Sequence, residues 1–520
     1  MALMWKLIIR KTSLYPMKLV LLTMSLFLMS GCGADGVIHV ELADERASHV
    51  YNGSDRPSVE LTVIKPKGID GWVQWVDFRG KALSDKSALV DHGTMKLKAP
   101  DAGQGYYGLR VFGDFASTAV TGFLPGEYKE YGFSVLPKPS PNVDEASSQF
   151  GMVHAKFQDP YLPRWVKTMT WKTREPDGWK AAIKERAEAG KSELPIIVSG
   201  EWVSDDSQPI SKAALAVIGV RSQQYFVADP SVAYWELGIE ENLSKNYHQK
   251  YYWSNLASKV AAVKQASLSV GVNVKLIYQI AERRKKDIRA FLDSQAAKDF
   301  DILAIHPYAW PDFRTPETWL PSFQQFVRDE MSARKRSFPI WYSEVGAPHH
   351  GNPLGFFGYP EDGAEVTGVT LYSATPYLLK LHVMGLAEGV EKIFWYNYID
   401  RHSERDYAEN FFGLIDYWGF PKPAYTAYAT MIRLLEGKQL VAKEEGKNSL
   451  YSYTFSDQKN TVSVLWRYPG TDGVPFSSVI NNQSVKVYDI MGHELKGEHL
   501  AKLSLSEEPV YVVYPPGWKP

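Results

Sequence analysis

The sequence predicts a multidomain α/β plus β protein: a (β/α)8 barrel, the TIM-barrel fold, flanked by N-terminal and C-terminal β-sandwich domains. Three observations carry this expectation. Short apolar runs alternate with helix-compatible stretches between Phe150 and Gly437. The segments before and after that region alternate on a two-residue period, with Gly, Asp and Asn between the runs. A chain of 520 residues also exceeds what one hydrophobic core holds.

Residues 1–32 read as an export signal, with the true start at Met1 or at Met17. MKLVLLTMSLFLMSGC, from Met17 to Cys32, has one lysine, an apolar run and small residues ahead of a cysteine. The run is too short to span a bilayer in a mature protein. Met29-Ser30-Gly31-Cys32 resembles the lipobox of bacterial lipoproteins, which implies cleavage before Cys32 and lipidation of its thiol. The membrane would then be a partner through that anchor, and an ordinary secretory signal is the alternative. Gly33 stands where an aspartate would hold a lipoprotein at the inner membrane, which favours the outer membrane, facing the periplasm or the cell exterior. Cys32 is the only cysteine, so an exported chain has no intramolecular disulfide and depends on packing.

Residues 33–136 carry VELTVIKPKG, GWVQWVDFRG, GYYGLRVFG and YGFSVLP, short strands at the turn spacing of a β-sandwich. Residues 137–149 read as a linker, because LPKPSPNVDEAS has three prolines and little apolar content. The barrel follows over 150–437. Its eight strands are expected at FGMVHAK, WVKTMTW, LPIIVSGEW, VAYWELGIE, VNVKLIYQIA, FDILAIHPY, FPIWYSEVG and EKIFWYNYI. Helices are expected over residues 249–266 and 376–387, and YTAYATMIRLL closes the barrel. Residues 438–520 return to strands in SLYSYTFSD, NTVSVLWRYPG, SVKVYDIMGHEL and PVYVVYPPG, a second small sandwich. There is no internal repeat and no low-complexity tract.

A net charge of −1 without a basic stripe sets nucleic acid aside. No spacing of His, Cys, Asp or Glu reads as a metal site, and neither a metal nor an organic cofactor is expected. Glu240 in YWELGIEEN and Glu344 in FPIWYSEVG each close an apolar, aromatic-rich run, three strand–helix units apart. The ends of barrel strands carry the chemistry in this fold, so two carboxylates there converge over one pocket. Paired carboxylates are the machinery of glycoside hydrolysis: one protonates the leaving oxygen while the other faces the oxocarbenium-like centre. Of the 16 Trp and 30 Tyr most fill cores, while those flanking the pair suit stacking on sugar rings.

These motifs carry a resemblance. WELGIE resembles the W-E-[IL]-x-N-E signature of clan A glycoside hydrolases, family 39 especially, and YSEVG is similar to the clan's nucleophile segment. HPY at residues 306–308 resembles the sixth-strand His-x-Tyr of family 39, and FFGLIDYWGFPKPAYTAY resembles the segment leading into the last helix. The resemblance covers residues 150–437. It implies a retaining hydrolase of an oligo- or polysaccharide, with Glu240 as general acid/base and Glu344 as nucleophile. Two positions depart from the pattern. Ile239 replaces the asparagine whose amide binds the sugar 2-hydroxyl, and the second-strand arginine has no secure equivalent in WVKTMTWKTREP. Either the substrate presents another group there, or another side chain supplies the bond, or the site is impaired. The last case is a catalytically weak, carbohydrate-binding lipoprotein acting in glycan capture or export. A slip of one residue would put Glu241 in place of Glu240, but strand alternation sends Glu241 to the other face.

Strand-end placement adds five candidate substrate-binding residues: His154, Trp202, His306, Tyr308 and Trp395, with Trp395 the expected platform beneath the sugar. His349 and His350 read equally as a subsite contact or as plain loop. The run ERRKKD, from Glu282 to Asp287, reads as a solvated helix face in preference to an anionic-glycan site.

Overall fold

The computed structural model describes residues 38–44, 48–65, 68, 70–113, 128–139, 143–168, 176–197, 205–350, 356–358, 365–403, 407–457, 459–480 and 484–515; Cys32 and Trp202 lie outside them. Eight parallel strands close a barrel. They are β1 (Phe150–Val153), β2 (Trp165–Thr168), β3 (Ser192–Ile197), β4 (Tyr234–Leu237), β5 (Lys275–Ala281), β6 (Ile302–His306), β7 (Ile340–Val345) and β8 (Val390–Trp395). Nearly every strand residue is buried, because one face meets the barrel interior and the other the helices. That double burial is why the strands read as continuous apolar runs.

Helices α1 (Pro176–Glu188), α2 (Lys212–Ala228), α3 (Tyr252–Ser269), α4 (Lys285–Asp293), α5 (Leu320–Ala333), α6 (Leu371–Ala387) and α7 (Pro423–Leu435) follow strands β2 to β8. The connection from β1 to β2 is made of turns. In it, half-buried Asp159 accepts hydrogen bonds from Tyr398 Oη at 3.1 Å and Tyr425 Oη at 2.9 Å, tying this loop to the exit of β8 and to α7. Local sequence sets the helix starts. Ser211 Oγ accepts from Ala214 N ahead of α2, and Thr370 and Ser373 form a reciprocal cap at the start of α6.

Inside the barrel, Trp165, Tyr234, Trp341 and Phe394 pack ring on ring at 5.1–6.3 Å between centroids. Lys392 underlies this aromatic layer, its ammonium 4.9 Å from the Trp165 ring. Its Nζ donates to Ser148 O at 2.6 Å, so the segment expected as a linker closes the barrel floor. One period of two above the aromatics stand Lys167, Glu236 and Ser343, all fully buried and polar. An apolar plug below and a polar layer above direct the chemistry to the upper face.

Before the barrel, a five-stranded sheet and a three-stranded sheet (His39–Asp44, Ser58–Ile64, His92–Lys98) share one core. Ser58–Ile64 alternates strictly, with Val59, Leu61 and Val63 inward and the residues between them exposed. After the barrel, a six-stranded sheet carries a separate two-stranded ribbon. Both domains pack on the barrel. Gly132 presses against Pro421 so closely that a Cβ would come within 1.8 Å of its carbonyl oxygen. From the last domain, Trp466 Nε1 donates to Glu317 Oε1 at 2.9 Å. Among the described residues no helix is long and apolar enough to cross a membrane.

Candidate active site

The exits of three strands bend through left-handed backbone, at Glu240 (φ 41°) after β4, Glu282 (φ 59°) after β5 and His154 (φ 58°) after β1. That conformation costs a non-glycine residue on the order of 1–2 kcal/mol, and such strain concentrates at functional sites. At Glu240 the bend turns the carboxylate over the barrel mouth. Its backbone N–H donates to Gln279 Oε1 at 3.4 Å, and Gln279 Nε2 donates to Gly238 O at 2.5 Å, so β5 holds the end of β4. Glu241 points away and accepts from Tyr252 Oη at 2.9 Å. Asn242 bridges Ala281 and Asp287, and Ile239 is half-buried.

On β7, the register against β8 shifts between Tyr342 and Val345. Irregularities of this kind re-aim side chains, and here Ser343 and Glu344 both reach the interior. Gly346 makes the turn above them possible, since a Cβ there would lie 2.0 Å from Tyr396 O.

The two carboxylates meet. One oxygen each from Glu240 and Glu344 and one ring nitrogen of His306 all lie within 4.8 Å of one another. His306 Nδ1 is 2.7 Å from Glu240 Oε1 and 3.8 Å from Glu344 Oε2, while its Nε2 is 2.9 Å from Ser343 Oγ. Tyr308 Oη donates to Glu344 Oε2 at 3.3 Å. Beneath, Lys167 Nζ is 2.9 Å from Glu344 Oε1 and 2.8 Å from Glu236 Oε2.

The environments of the pair differ. The Glu240 side chain is 29% exposed and that of Glu344 8%. Burial pushes the Glu344 carboxyl up, but attraction to Lys167, to His306 and to His154 more than offsets it and holds the group at about 2. Burial likewise disfavours the Lys167 ammonium, and Glu236 and Glu344 more than restore it, so its pKa lies above the ordinary lysine value. Glu344 is therefore a fixed carboxylate, and Glu240 is the more accessible partner. The same cluster offers donor atoms for a cation, but Lys167 already neutralises Glu344 and His306 is engaged at both nitrogens. A divalent ion there would face the ammonium at close range.

The remaining expected residues divide. His154, half-buried, lies beside the site with its ring 6.2 Å from Tyr396. Tyr308 belongs to the site through Glu344. His306 reaches the pair but is 0% exposed with both nitrogens bonded, so it positions Glu240 and presents no face to a ligand. Trp395 also departs from expectation: it is 0% exposed and stacks on His382 of α6. Alternation explains this, because Phe394 points into the barrel and sends Trp395 into the helix layer. Tyr396, one residue on, faces the site. Its hydroxyl donates to Glu409 Oε2 at 3.0 Å, and the Arg401 guanidinium lies 5.5 Å from its ring. Its pKa is raised by burial and then by Glu409. His349 is buried, and its backbone oxygen accepts from Lys422 Nζ at 3.0 Å.

Sequence reasoning missed Lys167, Glu236, Gln279, Ser343 and Tyr396. The signal for the first two was a charge placed two residues from an inward aromatic: Trp165 before Lys167 and Tyr234 before Glu236.

Two carboxylates thus converge on the upper face of a (β/α)8 barrel, the face that carries the chemistry of this fold. The chain superimposes on a family 39 glycoside hydrolase from the gut symbiont Bacteroides cellulosilyticus WH2 with a TM-score of 0.62 at 15% identity, over 92% of this chain and 100% of that one. The two share a fold over that length. The chain also aligns with the GH53 catalytic domain of Ignisphaera aggregans (TM-score 0.40, 15% identity, 55% of this chain and 97% of that one). It aligns similarly with a β-glucosidase from Thermotoga maritima (TM-score 0.38, 13% identity, 56% and 99%). No protein-family model matches the sequence, and no curated protein does.

Proposed function

We propose that the chain is a retaining glycoside hydrolase acting on an oligo- or polysaccharide. The observation that carries this reading is the approach of Glu240 and Glu344 oxygens to within 4.8 Å, with Lys167 fixed on the far oxygen of Glu344. Retaining enzymes set their carboxyl groups about 5–5.5 Å apart, and inverting enzymes leave about 6.5–9.5 Å for a water. In the first step the Glu344 carboxylate attacks the anomeric carbon as the glycosidic C–O bond breaks, and Glu240 gives its proton to the leaving oxygen. In the second, Glu240 takes a proton from water, whose oxygen displaces Glu344. His306, hydrogen-bonded to Glu240, orients that carboxyl through both steps. Nuclear magnetic resonance of the first-formed sugar tests the reading. The anomer released first matches the substrate's configuration, and the opposite anomer would refute a double displacement.

Ile239 favours a second reading, a carbohydrate-binding protein with weak catalysis, because it places no amide at the 2-hydroxyl of the sugar being cleaved. Glycan binding without release of reducing ends, in wild type and Glu344→Gln alike, would select it. We also propose that the protein is exported and anchored through a lipid on Cys32, most consistent with the outer membrane given Gly33.

A further inference from the structure

The charged run from Glu282 to Asp287 is not a uniformly solvated helix face. Helix α4 starts at Lys285, and Arg283, ahead of it, reaches the segment that follows β6. Its guanidinium lies 4.7 Å over the Trp319 ring, and its Nε donates to Tyr308 O at 3.3 Å. Arg283 is half-buried, and burial draws its pKa below the ordinary arginine value. Its neighbour Arg284 is ion-paired to Glu282 at 2.7 Å, and Asp312 is paired to Arg314. Among the described residues no carboxylate forms an ion pair with Arg283.

Arg283, Arg284, Lys285, Tyr308 and Trp319 line an open cleft of about 420 Å³, together with Glu282, whose charge Arg284 offsets; the volume falls in the range of small-ligand pockets. Tyr308 joins this cleft to the catalytic pair, since its hydroxyl is also the one on Glu344. Arg283 and Arg284 follow β5, the strand whose Gln279 accepts from the backbone N–H of Glu240, so the cleft adjoins the proposed proton donor. A partly desolvated guanidinium without a counter-ion is unfavourable, and an anion with two coplanar oxygens relieves it best. Half-buried Trp310 adds an aromatic wall for a sugar ring.

Resting on the glycosidase reading, we propose that this cleft is the leaving-group subsite and takes an acidic sugar, with Arg283 binding its carboxylate or sulfate ester.

The test is calorimetric binding to Glu344→Gln protein, which separates binding from turnover. The probes are hexasaccharides of polygalacturonate, alginate and hyaluronan for the carboxylate, and of κ-carrageenan for the sulfate. Each is compared with its carboxyl-reduced or desulfated counterpart. At least one acidic member binds about tenfold tighter than its neutral counterpart, and its class identifies the anion. Arg283→Gln brings that ratio close to one, and Arg283→Lys, which keeps the charge without the fork, leaves an intermediate ratio. Circular dichroism verifies folding of each variant, and the lysine variant carries the test if the glutamine variant unfolds. A ratio near one for every pair, or a ratio that survives loss of Arg283, overturns the proposal. Hydrolysis of neutral glycans dependent on Glu344, without acid preference, would sink this proposal alone. Acid-selective binding without hydrolysis would sink the glycosidase reading and leave this site standing as an acidic-glycan site.

Discussion

Lys167 Nζ lies 2.9 Å from Glu344 Oε1 and 2.8 Å from Glu236 Oε2, so one buried ammonium serves two buried carboxylates. Through it the second barrel strand controls the charge of a residue on the seventh. Lys167→Met leaves burial as the dominant influence on Glu344, and its pKa moves from about 2 to above the ordinary carboxylate value. The acid limb of kcat/KM therefore shifts to higher pH. The variant also loses about 3–5 kcal/mol of stability near neutrality, the cost of unpaired buried charge, and regains part of it as the carboxylates protonate in acid. Denaturant titration at several pH values reads both effects.

In the wild type the sign is opposite. Glu344 titrates at about 2 in the folded protein against 4.5 when free, so the pair stabilises the fold fully above 4.5. That stabilisation fades as pH falls from there toward 2. Replacing Glu344 by Gln removes this acid-dependent component from the unfolding free energy, which a pH series of melts would detect.

His306 holds Glu240 at 2.7 Å and touches no open surface. His306→Phe should lower kcat by about 10–100-fold with little change in KM, since only the orientation of the acid is lost. Aryl glycosides with good leaving groups, which need no proton in the first step, should recover most of kcat/KM, while kcat stays low because Glu240 still serves as the base on water in the second. An equal loss on all leaving groups would mean that the histidine does something else.

Adjacent aromatic residues at the exit of β8, Trp395 and Tyr396, should behave differently. Trp395→Ala empties a packed site between barrel and helices and costs about 3–5 kcal/mol, with turnover per folded molecule retained. Tyr396→Ala also costs stability, its ring being buried, but it lowers kcat/KM per folded molecule as well, because that ring packs edge-on against Tyr308, whose hydroxyl holds Glu344. Melting temperatures and kinetics on the same two samples check both outcomes.

Cys32→Ser should abolish incorporation of labelled palmitate and release the protein from the membrane fraction. Continued labelling would place the lipid elsewhere.

Much of the barrel was legible because double burial writes each strand as an apolar run, and β4, β7 and β8 were all found where their motifs lie. The catalytic candidates were legible because a carboxylate ending such a run has few structural reasons to be there. Parity at the end of β8 was not: WYNY offers consecutive aromatics, and only the inward packing of Phe394 decides which one meets the site. Lys167 was obscured because a planar guanidinium was sought on β2, while a point charge does the pairing. The strand Gln439–Lys447 escaped because it is an exposed edge, rich in Lys and Glu, which protects a sheet edge and erases its apolar signature. No periodicity reports the turns that replace a helix between β1 and β2.

Covalent trapping tests the central claim most directly. The wild-type protein is incubated with a panel of 2-deoxy-2-fluoro glycosyl fluorides, and its peptides are read by mass spectrometry. One fluorosugar per chain should appear on the peptide holding Glu344 and be absent from Glu344→Gln. Turnover without any adduct, or an adduct on a different carboxylate, would contradict the assignment.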